Sequence, residues 1–171
     1  MEEGKEVIEK NGQIFALVFR KSHRPTSVNF MTPDDYTLQL GFIGHDKGHH
    51  IRDHVHNPHI HYKVDTTQEF LYVEQGKIKA TIYDYGWNVI SVVILQAGDI
   101  ILQVSGGHGF DVIEPCYLIE VKQGPFPGDK LMKFYRGSDP SAEPIPTTKA
   151  HPDAPSDKKE MRYREDPVIK T

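Results

Sequence analysis

The sequence predicts an all-β protein, an antiparallel sandwich or small barrel, from three observations. Short runs rich in Val, Ile, Phe and Tyr recur between Gly, Pro, Asn and Asp. No run carries the 3.6-residue period of a long amphipathic helix. Pairs with turn chemistry, such as Gln75-Gly76 and Tyr85-Gly86, separate the runs. With 171 residues, 37% of them hydrophobic and 26% charged, the chain can bury one core and still carry a polar extension.

The elements follow in chain order. Residues 1–13 form an N-terminal extension in which the charged stretch 2–10 reads as a short helix ended at Asn11-Gly12. The barrel domain is expected over 14–136, with strands over residues 14–19, 36–43, 69–73, 77–83, 89–95, 99–104 and 116–121. Beyond it, residues 137–171 hold six of the 12 prolines, with 7 acidic and 6 basic residues and scattered apolar ones. Such a segment cannot bury a core of its own and reads as a polar, Pro-rich C-terminal arm or tail.

Charge and cysteine usage narrow the class. Twenty Lys and Arg against 24 Asp and Glu give a net charge of −4 with the two signs interspersed, so no footprint for a phosphate backbone is visible and nucleic acid is disfavoured. The only cysteine, Cys116, sits in an apolar run, which precludes an internal disulfide and suits a reducing compartment. The N-terminus is acidic with no apolar signal region, and no stretch reaches the roughly 18 apolar residues of a membrane span. A soluble, cytoplasmic protein is expected.

The chemistry concentrates in histidines. Seven of the ten lie between His45 and His61. In an extended chain, residues two apart point to one face about 6.5 to 7 Å apart, so His54 and His56 can approach one metal ion from one side, with Arg52 on the same face. Glu69 shares the parity of Leu71 and Val73, which places its carboxylate on the apolar, inward face, where it needs a partner. His108 lies between glycines in Gly106-Gly107-His108-Gly109. Three imidazoles and a carboxylate suit a divalent transition metal such as Zn, Mn, Fe, Ni or Co.

The spacing resembles the cupin superfamily. Gly48, five residues, His54-x-His56, then Glu69, then six residues to Gly76 is similar to its first motif; Gly98, five residues, Val104, Gly106 and His108 are similar to its second. The resemblance covers residues 35–123. It implies a small antiparallel jelly-roll barrel whose metal ligands are His54, His56, Glu69 and His108. Twelve residues separate His56 from Glu69, where the family has three or four. That inserted loop carries a second pair, His59 and His61, which could replace the first; the upstream glycine spacing and Pro58 favour His54 and His56. In the second motif Val104 stands at the usual proline, and one residue instead of two separates Gly106 from His108.

Similarity to small single-domain cupins of bacterial sugar and polysaccharide metabolism, described as mannose-6-phosphate isomerase-like, implies an isomerase or epimerase acting on a phosphorylated or nucleotide-linked sugar. Arg52 would anchor an anionic group, His61 would move a proton, and the metal would stabilise an enediolate-type oxygen. Gln39 is a further candidate for the ligand face, although sheet surfaces commonly carry glutamines. Two other classes stay open: an Fe(II)-dependent dioxygenase and a non-enzymatic module that binds a sugar or other small ligand. An apolar outer sheet face, common in the family, implies a homodimer. His45, His49, His50 and His59 read as loop or surface residues.

Overall fold

In the computed structural model, residues 3–59, 64, 66–124 and 133–137 are described. His61 and the arm expected over 138–171 lie outside them. The chain divides into two compact units, Met1–Pro125 and Phe126–Thr171; in the second, the described residues 133–137 include a turn at Arg136-Gly137.

The first unit is all-β, and no described residue is helical. Its strands are β1 (Lys5–Lys10), β2 (Gln13–Phe19), β3 (Ser27–Phe30), β4 (Gly41–Gly44), β5 (Glu69–Tyr83), β6 (Val89–Gln96), β7 (Ile100–Gln103) and β8 (Gly107–Lys122). Antiparallel ladders join them into one strongly curled, half-barrel sheet in the order β1-β2-β7-β5-β6, with β8 along the other side of β5. Strands β3 and β4 form a separate two-stranded ladder.

The expected helix over 2–10 is strand β1. The reason is the turn that follows: Asn11 and Gly12 both have positive φ, 53° and 78°, the backbone of a two-residue hairpin loop, and Lys10 pairs with Gln13 across it. The strands expected over 69–73 and 77–83 are one continuous β5. Gln75-Gly76 is not a turn but an irregularity in the β5–β8 ladder, where the register shifts between Val73 and Ile78. Gly76 has φ +83°, and a Cβ there would lie 2.0 Å from the Pro115 carbonyl oxygen, so only glycine lets β8 pass this close. Tyr85-Gly86 does turn the chain, because Asp84 Oδ1 accepts from the backbone N–H groups of Gly86 and Asn88, both at 2.9 Å.

Consecutive residues of β2 and β7 enter opposite sides of the sheet. Ala16, Val18 and Ile101 join Leu71, Val73, Ile78, Ala80, Ile82, Val93 and Leu95 in one cluster on the concave face. Leu17, Phe19, Ile100 and Leu102 join Met31 on the convex face, with Phe42, Phe70 and Tyr72 packed against them. Burial on both sides explains why these two strands read as unbroken apolar runs, and each side chain so buried contributes about 1.5–3 kcal/mol. Of the strand expected over 36–43, only residues 41–43 pair, within β4 (Gly41–Gly44). Tyr36, Leu38 and Leu40 alternate because they pack on the convex cluster from a loop.

Candidate functional site

The concave face carries polar side chains among the apolar ones. Glu69 opens β5 on the face of Leu71 and Val73, directly across from Gln103 on β7 and Lys122 on β8. His108 pairs with Ile82, thirteen residues further along β5. On a straight strand that separation would be about 40 Å. The curl of the sheet closes it: His108 Nε2 lies 3.4 Å from Glu69 Oε1, with 25% and 12% of the two side chains exposed. The sequence places both residues at one site, and the structure brings them together.

Electrostatics at the pair follow from its neighbours. Burial alone would raise the Glu69 carboxyl, but its contacts with His108 and Glu120 and the charge of Lys122 outweigh burial and hold it below the ordinary glutamate range. Glu120 pairs with Lys122 in turn. The His108 ring packs against Phe110, centroids 5.1 Å apart. Across from Glu69, Gln103 donates from Nε2 to the Ser105 carbonyl, which fixes the amide orientation and leaves its buried Oε1 with no hydrogen-bond partner among the described residues.

The remaining expected site residues are placed elsewhere. Arg52, His54 and His56 lie on an exposed irregular segment rather than on a strand. His54 and His56 do come together, their rings edge to face with centroids 5.4 Å apart, while His54 Nδ1 bonds the Arg52 carbonyl at 2.9 Å. Among the described residues no three His, Cys, Asp or Glu side chains group around a common point, so these two imidazoles do not join Glu69 and His108. Gln39 is exposed in the 33–40 loop, where its Nε2 donates to the carbonyls of Pro33 and Tyr36 and its Oε1 accepts from Thr32. It ties that loop together and does not face the concave side. His61 lies outside the described residues.

Gln103, Glu120 and Lys122 were not legible as site residues. The β8 sequence alternates Tyr117, Ile119 and Val121 with Leu118, Glu120 and Lys122. A rule of apolar residues inside would turn the first set to the core. The ladder turns the second set inward: Leu118 pairs with Val73, Glu120 with Leu71 and Lys122 with Glu69, while Tyr117 and Val121 are at least half exposed. The signal that could have found them was the charged pair two residues apart, on the same parity as Leu118.

Compared with protein-family models, with curated proteins and with solved structures, the chain gives no match. No helix of the described residues is long and apolar enough to cross a membrane.

Proposed function

We propose that this chain is a metal-binding barrel of the cupin kind, acting as an isomerase or epimerase on a phosphorylated or nucleotide-linked sugar in the reducing cytoplasm. The observation that carries the reading is the Glu69–His108 pair on the concave face, 3.4 Å apart and largely sheltered from solvent. Two donors on one ion, each about 2.1 Å from it, stand about 3 Å apart, so this carboxylate and imidazole fit two positions of a divalent metal with little movement. The described positions of His54 and His56 do not fit the same ion; they would have to swing in with their loop to complete the set. A bound ion would supply charge stabilisation for an oxygen that becomes negative as a neighbouring carbon loses its proton.

The chain's own groups have separate roles in this reading. Glu69, held as a carboxylate, and His108 beside it would hold the ion, which leaves proton transfer to other groups. Lys122 offsets negative charge at the same place. Arg52 and His61, in the histidine-rich segment, remain the proposed anion holder and proton carrier. The pairing of two copies through the outer sheet face is supported by Ile113, Tyr117, Ile119 and Val121 of β8, each about half exposed.

Two measurements test the reading together. Untagged protein purified without chelators should hold about one equivalent of a transition metal, which Glu69→Gln and His108→Ala should each remove; unchanged metal content in both variants sinks the ligand assignment. Incubation with aldose and ketose phosphates in D₂O should exchange deuterium at the carbon beside the carbonyl. Oxygen uptake with Fe(II) and no exchange would move the reading to a dioxygenase, and ligand binding that survives loss of metal would move it to a binding module.

A further inference from the structure

The open end of the β3–β4 ladder carries a cleft that the Glu69–His108 site does not use. Residues 24–27, which lead into β3, and 44–49, which leave β4, line an open cleft of about 780 Å³. Backbone sets both walls. Ser27 is paired with Gly44 and has φ +69°, and a Cβ on Gly44 would lie 3.3 Å from the Pro25 carbonyl oxygen. On the other wall the His49 N–H donates to the Asp46 carbonyl at 3.2 Å and Gly48 has φ +92°, the backbone of a type II turn. That turn returns His49 over His45, and the two rings stack with centroids 3.8 Å apart and planes 13° from parallel.

The cations of this cleft are uncompensated. Arg24 Nη1 donates to the carbonyls of His23 at 2.8 Å and Arg20 at 3.4 Å, and Nη2 donates to that of Gly98 at 3.3 Å. Its guanidinium carbon stands 5.8 Å from the centroid of the Phe42 ring. These contacts fix the group and neutralise none of its charge, and they leave guanidinium N–H groups for a ligand. Among the described residues neither Arg24 nor Lys47 forms an ion pair. Asp46 is the single carboxylate in the lining, so the cleft keeps a net positive charge.

We propose that this cleft binds the phosphate group of a small molecule, independently of the Glu69–His108 site. Arg24 and Lys47 supply the charge, and the Thr26 and Ser27 hydroxyls are neutral donors in the same lining. The stacked imidazoles fit the same ligand: donors in two parallel ring planes run side by side, which suits two oxygens of one tetrahedral anion. A carboxylate offers only two oxygens, whereas donors from two walls match the several oxygens of a phosphate. Arg24 is already held by three carbonyls, so it loses little conformational freedom when the anion binds.

The test is an NMR titration of the untagged, full-length, ¹⁵N-labelled protein with inorganic phosphate, beside chloride at matched ionic strength, and then with glycerol 3-phosphate. Backbone signals of residues 26, 27 and 44–49 should shift saturably with phosphate and not with chloride. The dissociation constant should rise about tenfold in Arg24→Gln and about threefold in Lys47→Ala. Lys21→Ala removes the same charge from an exposed lysine outside the cleft and should leave it unchanged. Tighter binding of the ester than of the free ion would show that the cleft also holds the carrier molecule; equal affinity would identify phosphate itself as the ligand. Shifts that chloride reproduces, no saturable shift in the wild type, or equal weakening in Lys21→Ala and Lys47→Ala overturns the proposal. Arg24 also ties backbone segments together, so if Arg24→Gln fails to fold, Lys47→Ala alone decides, because the Lys47 side chain is exposed and makes no contact on which the fold depends. Metal content at Glu69 and His108 is read separately, and its failure leaves this site standing.

Discussion

Gly76→Ala isolates the close approach of β8 to β5. The substitution adds one methyl group, and two effects oppose it. Holding a non-glycine residue at φ +83° raises the native state by about 1–2 kcal/mol. The added Cβ would also lie 2.0 Å from the Pro115 oxygen and 2.7 Å from Cys116 Cα, and both are backbone atoms that no rotamer change can move. Opening the β5–β8 ladder to relieve that overlap adds about 1–3 kcal/mol, by analogy with overpacked cores. The sum is about 3 kcal/mol, and for a unit of this size about 4 °C of melting temperature is lost per kcal/mol, so a fall of about 12 °C is expected. Gly12→Ala is the matched control: its φ of +78° is equally unfavourable, but nothing lies within 4 Å of the added Cβ, so about 1 kcal/mol and 4 °C should be lost. Differential scanning calorimetry of the two variants gives both numbers. A Gly76→Ala protein no less stable than Gly12→Ala would show that β8 does not approach β5 as closely as described.

Two further predictions concern the polar scaffold. Asp99 is 2% exposed and accepts from Arg20 at 3.1 Å, the Lys21 N–H at 2.9 Å and the Gln96 N–H at 3.2 Å. Asp99→Ala leaves those donors without their acceptor and should lower stability by about 3 kcal/mol in urea unfolding, whereas a loss under 1 kcal/mol would show the network to be dispensable. Asp84 is held well below the ordinary aspartate range, first by the Lys10 ammonium at 2.8 Å and then by the Asn88 N–H. A depressed folded-state pKa stabilises fully above the unfolded value of about 3.9 and loses that contribution as pH falls below it. The melting-temperature gap between wild type and Asp84→Asn should therefore be constant from pH 5 to 8 and close as the solution is acidified below about pH 4; a gap that widens on acidification would contradict this ion pair.

The all-β class was legible because β-branched and aromatic runs between turn residues carry it directly, and β2, β6 and β7 fall within a residue or two of their expected bounds. The N-terminal strand was missed although Asn11-Gly12 is a strong short hairpin signal, since the charges around Val7 and Ile8 resemble a helix start as much as an edge strand. Gln75-Gly76 was misread for a physical reason: glycine marks a turn and a close backbone approach equally well, and the neighbour that decides between them, Pro115, is distant in sequence. Glu69 was legible as inward-facing from its parity with Leu71 and Val73. His54 and His56 share the parity expected of a strand, but the 49–59 segment has no ladder partner among the described residues, and period-two alternation has no meaning without one.

Parity also explains how Glu69, at the start of β5, and His108, on β8 opposite the far end of β5, come to share a site. Val73 and Ile78 both face the concave cluster although they are five positions apart, an odd step that reverses the side-chain alternation of a regular strand. On β8 the matching partners, Leu118 and Val112, are six apart and keep their alternation. The irregularity around Gly76 absorbs the difference, so both halves of β5 present one face inward. Without it, Ile78, Ala80 and Ile82 would turn outward and fall out of step with β8, which keeps its own alternation and carries His108. Glycine at position 76 thus keeps both halves of β5 in register with the strand that brings the imidazole to Glu69. Because the overlap in Gly76→Ala opens that ladder, the proposed metal retention at Glu69 and His108 should fall by more than in Gly12→Ala, even at temperatures where both variants remain folded.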